Sequence, residues 1–151
     1  MTSPAETEIW HSRPTPGELN ETSTGSIISR IGIRFTDVGN DYIAATMPVD
    51  RRTLQPFGVL HGGASAVLAE TLASFGATYC VDRSRFACVG MEFNANHLRP
   101  VVQGEVEGRA SPIHLGQRTQ VWDVRIRNKD TRLVAVSRLT LAVIDKPGPV
   151  S

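Results

Sequence analysis

The stretch from Gly58 to Val81 constrains most strongly what this chain can fold into. It reads GVLHGGASAVLAETLASFGATYCV, and its only formal charge is the carboxylate of Glu70. An exposed helix face normally carries several charges, so this composition indicates a helix that is covered on most sides. A lone carboxylate there is costly to desolvate without compensating groups. Glu70 is either an ordinary solvent-facing residue or a group that faces a cleft, and its isolation favours the cleft.

The tripeptide His61-Gly62-Gly63 stands just before this helix. The first amides of a helix lack intrahelical acceptors and lie at the positive end of its dipole. A carbonyl docked there would be polarised as it becomes tetrahedral. Taken alone, the motif also fits an ordinary loop-to-helix turn, with His61 as a capping side chain. Together with Glu70, it predicts a catalytic acid, base or nucleophile facing an oxyanion site.

Two further polar residues could act with Glu70. Ser74 lies one helical turn after Glu70, so the two share a face. Gln55 stands in a loop before Pro56-Phe57-Gly58. Either side chain could orient a water or a carbonyl, if the fold brings it near the carboxylate. Otherwise Gln55 is a solvated loop residue and Ser74 bonds its own helix backbone.

Length, charge and cysteine usage exclude several classes of protein. The chain has 151 residues, which favours one domain. Its 16 basic and 15 acidic residues give a net charge of +1, which does not support nucleic-acid binding. Cys80 and Cys88 do not form a disulfide framework, and the four histidines lack metal-ligand spacing. With no signal peptide or membrane span recognisable, we predict a cytoplasmic protein that needs no metal, cofactor or membrane.

The hydrophobic periodicity predicts an α+β fold. A helix is expected from about Gly62 to Val81, with Leu68, Leu72 and Phe75 packed on a sheet. One or two short helices are expected between Glu18 and Arg30. Alternating patterns predict an antiparallel sheet. The predicted strands are Ile31–Val38, Tyr42–Met47, Phe86–Leu98, Gly104–Ile113, Arg118–Arg127 and Leu133–Ile144.

The same patterns set the expected domain limits. We predict a flexible arm over residues 1–16, one domain over 17–144 and a tail over 145–151. A single long helix cannot cover both faces of such a sheet. Its exposed face or edge needs a partner, so a homo-oligomer is expected.

Two segments at predicted strand ends combine histidine and arginine with turn-forming residues. They are His97-Leu98-Arg99-Pro100 and His114-Leu115-Gly116-Gln117-Arg118-Thr119. Such side chains suit phosphate capture. As isolated segments they could equally be solvated loops.

Four motifs occur in an order that resembles one family. They are ATMPVDRRTLQPFGVLHGGASAVLAE (45–70), VGMEFNANHLRP (89–100), HLGQRTQVW (114–122) and SRLTLAV (137–143). Over residues 8–144 the chain resembles the hotdog-fold acyl-CoA thioesterases. Within them it is similar to the bacterial PaaI-like group, which includes the 1,4-dihydroxy-2-naphthoyl-CoA, enterobactin proofreading and Arthrobacter-type 4-hydroxybenzoyl-CoA thioesterases.

The resemblance implies a long helix wrapped by a curved antiparallel sheet, paired edge to edge into dimers that stack as tetramers. Active sites would be shared between two chains. The family's carboxylate falls on Glu70, its oxyanion donor on the Gly62 amide, and its orienting groups on Gln55, His61 and Ser74. Its CoA contacts fall on Gly90, His97, Leu98, Arg99, Pro100, His114, Leu115, Gly116, Gln117, Arg118 and Thr119.

The resemblance also implies a substrate class. It predicts hydrolysis of an acyl-CoA or aryl-CoA thioester, or of the same ester on an acyl-carrier protein. Phe57 and Phe75 are expected to line the acyl pocket, and relatives often carry a smaller aliphatic residue where this chain has Phe75. The role of Glu70 as nucleophile or general base stays open.

Two other activities fit a hotdog fold. A 3-hydroxyacyl-thioester dehydratase or hydratase also uses a histidine and a carboxylate near the central helix, but its Gly-His-Phe-Pro type of loop is absent. A non-catalytic acyl-CoA sensor would gain nothing from an isolated carboxylate such as Glu70.

Overall fold

A computed structural model describes residues 8–146 as one antiparallel sheet around a long helix. The six strands lie in the order β1-β2-β4-β5-β6-β3. The predicted α+β architecture is confirmed. The elements are α1 (Pro16–Thr22), α2 (Ile27–Arg30), β1 (Arg34–Val38), β2 (Ile43–Val49), α3 (Gly62–Tyr79), β3 (Phe86–His97), β4 (Gly104–Leu115), β5 (Thr119–Asn128) and β6 (Leu133–Asp145).

Small residues let α3 lie close to the sheet. Leu68 and Leu72 are fully buried, as predicted. Gly76 faces the ring of Trp122 on β5, where an added Cβ would lie only 2.6 Å from the nearest ring atom. Trp122 is itself fully buried. The helix is therefore seated on the sheet at this contact, and that seating fixes the height of α3 above the strands.

We expect Gly76→Ala to lower the free energy of unfolding by about 1–3 kcal/mol, because the added methyl overpacks a rigid, buried ring. The urea midpoint measures the change. Gly17→Ala is the matched control, since a Cβ there meets only Thr15 Oγ1 at 3.9 Å. The control should be neutral or slightly stabilising, because alanine is the better helix former. Equal midpoints for both variants would contradict the close packing of α3.

The sequence predicted a flexible arm over residues 1–16, of which residues 1–7 lie outside the described residues. The described part is attached to the domain. Trp10 is 8% exposed and donates from Nε1 to the Gly39 carbonyl at 2.7 Å. The amide of His11 donates to the Tyr79 carbonyl at the end of α3, at 2.9 Å. This segment therefore links the β1–β2 turn to the end of the long helix.

Strand limits differ from the predicted ones by a few residues at most. The largest difference is at β1, which begins at Arg34 and not at Ile31. Ile31 is the C-cap of α2, and Gly32 takes a positive φ of 81°, so the chain turns there before it becomes extended. The predicted tail begins within β6, which extends to Asp145, and residues 147–151 lie outside the described residues.

The two cysteines are half-buried free thiols. Burial raises the pKa of Cys80 to about 12 and also raises the pKa of Cys88. Cys88 Sγ donates to the Ala77 carbonyl at 3.4 Å. Both thiols stay protonated near neutral pH, so they are poor nucleophiles.

Candidate active site

Glu70 is half-buried and lies on a cleft of about 540 Å³. The floor of the cleft is α3, and its two sides come from α2 and from the edge strand β3. The sheet leaves this face of the helix open, because its two edge strands do not meet. Glu70 therefore lines a cleft of the single chain, and its position at a cleft between subunits stays a prediction.

Two neighbours define the surroundings of the Glu70 carboxylate. Ser74 Oγ donates to Glu70 Oε1 at 3.4 Å, across one helical turn. On β3, a Cβ added at Gly90 would lie 2.8 Å from Glu70 Oε1, so glycine leaves the space that the carboxylate occupies. The β3–β6 register shifts between Gly90 and Glu92, which is a bulge beside the carboxylate.

The start of α3 leaves one amide without an acceptor. His61 is the N-cap, and its Nδ1 accepts the amide of Gly63 at 2.8 Å. Within residues 8–146 the amide of Gly62 makes no hydrogen bond. The capping geometry therefore distinguishes the two glycines, and it leaves Gly62 as the free donor at the positive end of the helix.

His97 lies beside this helix start. A Cβ added at Gly62 would be 3.0 Å from His97 Nε2. Gly62 and the segment His97–Pro100 line a second cleft of about 380 Å³. Arg99 is held by a hydrogen bond from Nη1 to the Leu133 carbonyl at 2.7 Å. The structure thus brings one of the two predicted phosphate-binding segments next to the predicted oxyanion donor.

The loop that contains Gln55 is attached to the helix start. The His61 amide donates to the Thr53 carbonyl at 2.8 Å, and the Gln55 amide donates to the Val59 carbonyl at 2.9 Å. Gln55 Oε1 accepts the Phe57 amide within this loop. Phe57 is 90% exposed and does not line the cleft beside Glu70. Within one chain, therefore, Gln55 and Phe57 are not brought to that cleft, whereas Phe75 is.

The segment His114–Thr119 contains the turn between β4 and β5 and the adjoining strand ends, and the Gly116 amide donates to the Thr119 carbonyl at 2.9 Å across this turn. Arg118 pairs with Asp145 at 3.2 Å, and both side chains are exposed. His97 on β3 pairs with Ala135 on β6, and Ala135 pairs in turn with Ile126, near the end of β5. His114 on β4 pairs with Val121, near the start of β5. The two predicted CoA-binding segments therefore lie toward opposite ends of the sheet in one chain.

Part of the cleft was not predicted from the sequence. Ile27 and Ile28 on α2 and Phe93 on β3 line it, together with Phe75. Phe75 also packs against Phe35 of β1, with ring centroids 5.0 Å apart. Ile27 begins the one-turn helix α2 and is 57% exposed, but this exposure is visible only in the structure, so the sequence offered no signal for its place on the cleft. The approach of α2 to α3 brings together segments that are distant in the sequence, and local periodicity does not reveal it.

Within the described residues, no three histidine, cysteine or carboxylate side chains are grouped as metal ligands. No described helix is long and apolar enough to span a membrane.

Comparison with known proteins decides the family. The thioesterase superfamily matches residues 57–135 of the chain, which include the helix start, Glu70 and β3. The chain belongs to the thioesterase superfamily. The family resemblance drawn from the four motifs is thereby confirmed, and so is the hotdog fold.

Several individual thioesterases are similar to this chain over nearly its whole length. The proofreading thioesterase EntH of Cronobacter turicensis is 48% identical over 136 residues, which is 90% of this chain and 98% of that protein. The 1,4-dihydroxy-2-naphthoyl-CoA hydrolase of Escherichia coli is 46% identical over 136 residues, with coverages of 90% and 99%. A thioesterase structure from Haemophilus influenzae superposes with a TM-score of 0.90 at 47% identity, covering 95% of this chain and 99% of that one. This chain is a thioester hydrolase.

Proposed function

We propose that this thioesterase hydrolyses an acyl-CoA thioester, including aryl-CoA esters, to the free acid and CoA. The Gly62 amide holds the thioester oxygen as the carbonyl becomes tetrahedral. Glu70 either attacks the carbonyl carbon, giving an anhydride, or takes a proton from the water that attacks it. In both routes the C–S bond breaks and the CoA thiolate leaves, and in the first route water then hydrolyses the anhydride to the free acid and the Glu70 carboxylate. The observation that carries the proposal is the half-buried Glu70 carboxylate on a cleft.

The spacing within α3 supports a site shared by two chains. Gly62 and Glu70 are eight residues apart in one helix, which is about 12 Å along its axis. One carbonyl cannot contact both groups of the same chain. A twofold axis reverses the second helix, so Glu70 of one chain can face the Gly62 amide of the other. We therefore assign the two groups of each site to different subunits.

The edge strand β3 is the surface for this pairing. It is 12 residues long, and its outer edge has no neighbouring strand within residues 8–146. Val89 and Met91 are 47% and 58% exposed there. A long apolar edge normally pairs with another strand. Antiparallel pairing of two copies would form one continuous sheet and put His97 near the first residues of the partner's β3. Two such dimers would then stack as a tetramer.

The remaining residues have supporting roles in this proposal. His61, Gln55 and Ser74 orient the carbonyl or the attacking water. Gly90 and the segments His97–Pro100 and His114–Thr119 bind CoA, or the phosphopantetheine arm of an acyl-carrier protein. In a dimer, these two segments come from different chains, which agrees with their separation in a single chain. A cytoplasmic location, and a reaction without metal or cofactor, stay predictions from the sequence.

Mixing two inactive variants tests the shared site. Glu70→Gln removes the carboxylate, and Gly62→Pro removes the amide hydrogen. A mixed dimer then holds one site with both lesions and one intact site. After random reassembly at equal amounts, we expect about one quarter of wild-type thiol release, because half of the dimers are mixed. The release of CoA from benzoyl-CoA, followed with a thiol-reactive dye, measures it.

If both groups of a site came from the same chain, every site in the mixture would carry a lesion. Activity would then stay at the level of the separate variants, and the shared site would be rejected. Wild-type protein taken through the same dissociation and reassembly gives the reference activity.

A further inference from the structure

The bulge in β3 changes which residues of this strand face α3. Gly90 pairs with Leu141 and Glu92 pairs with the adjacent Thr140, so Met91 is the extra residue of the bulge. Side chains alternate between the two faces of a strand, and one extra residue reverses the alternation. The positions that face the helix should therefore be even-numbered before Met91 and odd-numbered after it.

The contacts of the helix-facing residues agree with this reversal. Before the bulge, Cys88 Sγ donates to a carbonyl of α3 at 3.4 Å, and a Cβ added at Gly90 would point at Glu70. After the bulge, Phe93 lines the cleft whose floor is α3. Strict alternation would instead turn Glu92 toward α3 and bring a second carboxylate near Glu70, which like-charge repulsion disfavours.

Position 90 requires glycine for space and not for backbone conformation. Gly90 does not take a positive φ, so other residues can adopt its backbone conformation. A Cβ added there would lie 2.8 Å from Glu70 Oε1, whereas Leu139 Cδ1 would be at an ordinary 3.8 Å. Ser74 Oγ donates to the same carboxylate oxygen at 3.4 Å. Ser74 and Gly90 of one chain therefore limit where this oxygen can lie.

We infer that Gly90 is a positioning residue for Glu70: the bulge turns it toward α3, and its missing side chain sets the place of the carboxylate in the reaction. The inference rests on the proposed function, because it takes Glu70 as the reacting group. This role is separate from the CoA contact that the family resemblance gives to Gly90. The contact lies within one chain, so it is present in each subunit however the site is shared.

Gly90→Ala tests the inference. The carboxylate is the flexible end of the Glu70 side chain, so it can move away from the new methyl group while β3 stays in place. An ordinary carbon–oxygen contact requires a shift of about 0.5 Å, which is about the tolerance of a catalytic group. We expect kcat for benzoyl-CoA to fall about ten- to a hundredfold. KM and the unfolding midpoint should stay near their wild-type values. An unchanged kcat, or a raised KM alone, would overturn the inference.

A double-mutant cycle separates this role from a general effect on the strand. Glu70→Asp shortens the side chain by one methylene and withdraws the carboxylate from residue 90. The methyl group of Gly90→Ala then has no carboxylate to displace, so it should lower kcat/KM several-fold less in this background than in the wild type. An equal fall in both backgrounds would overturn the inference.

A crystal structure of Gly90→Ala gives a readout that does not depend on activity. Glu70 Oε1 should be displaced from its place beside residue 90, and the register between β3 and β6 should be retained. A carboxylate in its original place, or a changed register, would overturn the positioning role.

Asn94→Ala is the control on the same strand. The Asn94 side chain donates to Glu92 at 3.0 Å, and both have even numbers after the bulge, so kcat should stay near the wild-type value. A fall equal to that of Gly90→Ala would assign the effect to β3 as a whole and overturn the inference. If the wild-type protein released no thiol from benzoyl-CoA or octanoyl-CoA, the proposed function itself would fail. Normal release by both the wild type and Gly90→Ala would overturn the inference alone.

Discussion

Replacing Glu70 by glutamine should lower kcat by at least about a hundredfold and up to ten-thousandfold, the range that general acid–base catalysis contributes. A larger loss is expected if the carboxylate is the nucleophile. Glutamine keeps the size of the side chain and can still accept from Ser74, whose Oγ lies 3.4 Å from Glu70 Oε1. The fold should therefore be retained. Steady-state hydrolysis of benzoyl-CoA measures the loss, and thermal unfolding checks the fold.

Glu107→Gln is the matched control for this variant. Glu107 is an exposed carboxylate on β4, in a part of the sheet that does not border the cleft. Its removal should leave both kcat and the unfolding midpoint near the wild-type values. If Glu70→Gln hydrolysed the ester at a rate close to that of Glu107→Gln, a catalytic role for Glu70 would be contradicted.

A single turnover in ¹⁸O-labelled water separates the two roles of Glu70. If Glu70 attacks first, it forms an anhydride, and attack of water on the glutamyl carbonyl leaves the label in Glu70. If Glu70 acts as a base, the labelled oxygen goes directly into the free acid, and Glu70 stays unlabelled. Mass spectrometry of the peptide that contains Glu70 distinguishes the routes.

The sequence predicted the parts of the fold that local patterns control. The helix was placed at Gly62 to Val81 and occupies Gly62–Tyr79, because its apolar positions and its histidine-capped start are local features. The attachment of Trp10 was not predicted. Its segment is polar and proline-rich, and the contact that orders it, from Nε1 to Gly39 O at 2.7 Å, joins residues distant in the chain.

The candidate site likewise contains residues that local spacing predicts and residues that only the tertiary fold brings together. Glu70 and Ser74 follow from helical spacing alone, and the structure brings them together. The choice of Gly62 over Gly63 came from the family resemblance, and the capping bond from Gly63 to His61 now supports it physically. Ile27 and Phe93 could not be assigned to the cleft, because their positions there depend on how α2 and β3 close around the helix.

Gly62→Pro should lower kcat by about 10²–10³-fold, the usual cost of removing one oxyanion donor. Proline deletes the amide hydrogen without breaking a helical hydrogen bond, because residue 62 is the first helical position, where proline is favoured. The preceding residue must be extended, and His61 already is, with φ −69° and ψ 131°. The helix should therefore be retained, and the unfolding midpoint should stay near the wild-type value. Steady-state kinetics with benzoyl-CoA and thermal unfolding measure the two effects separately.

Gly62→Ala is the control that isolates the amide. It keeps the N–H but adds the same Cβ, which would lie 3.0 Å from His97 Nε2. His97 is exposed and can move aside, so alanine should cost only what that displacement costs. A large gap in kcat between the proline and alanine variants assigns the loss to the amide hydrogen. Equal losses would assign it to the displaced imidazole, and the oxyanion donor would then have to be sought elsewhere than at the start of α3.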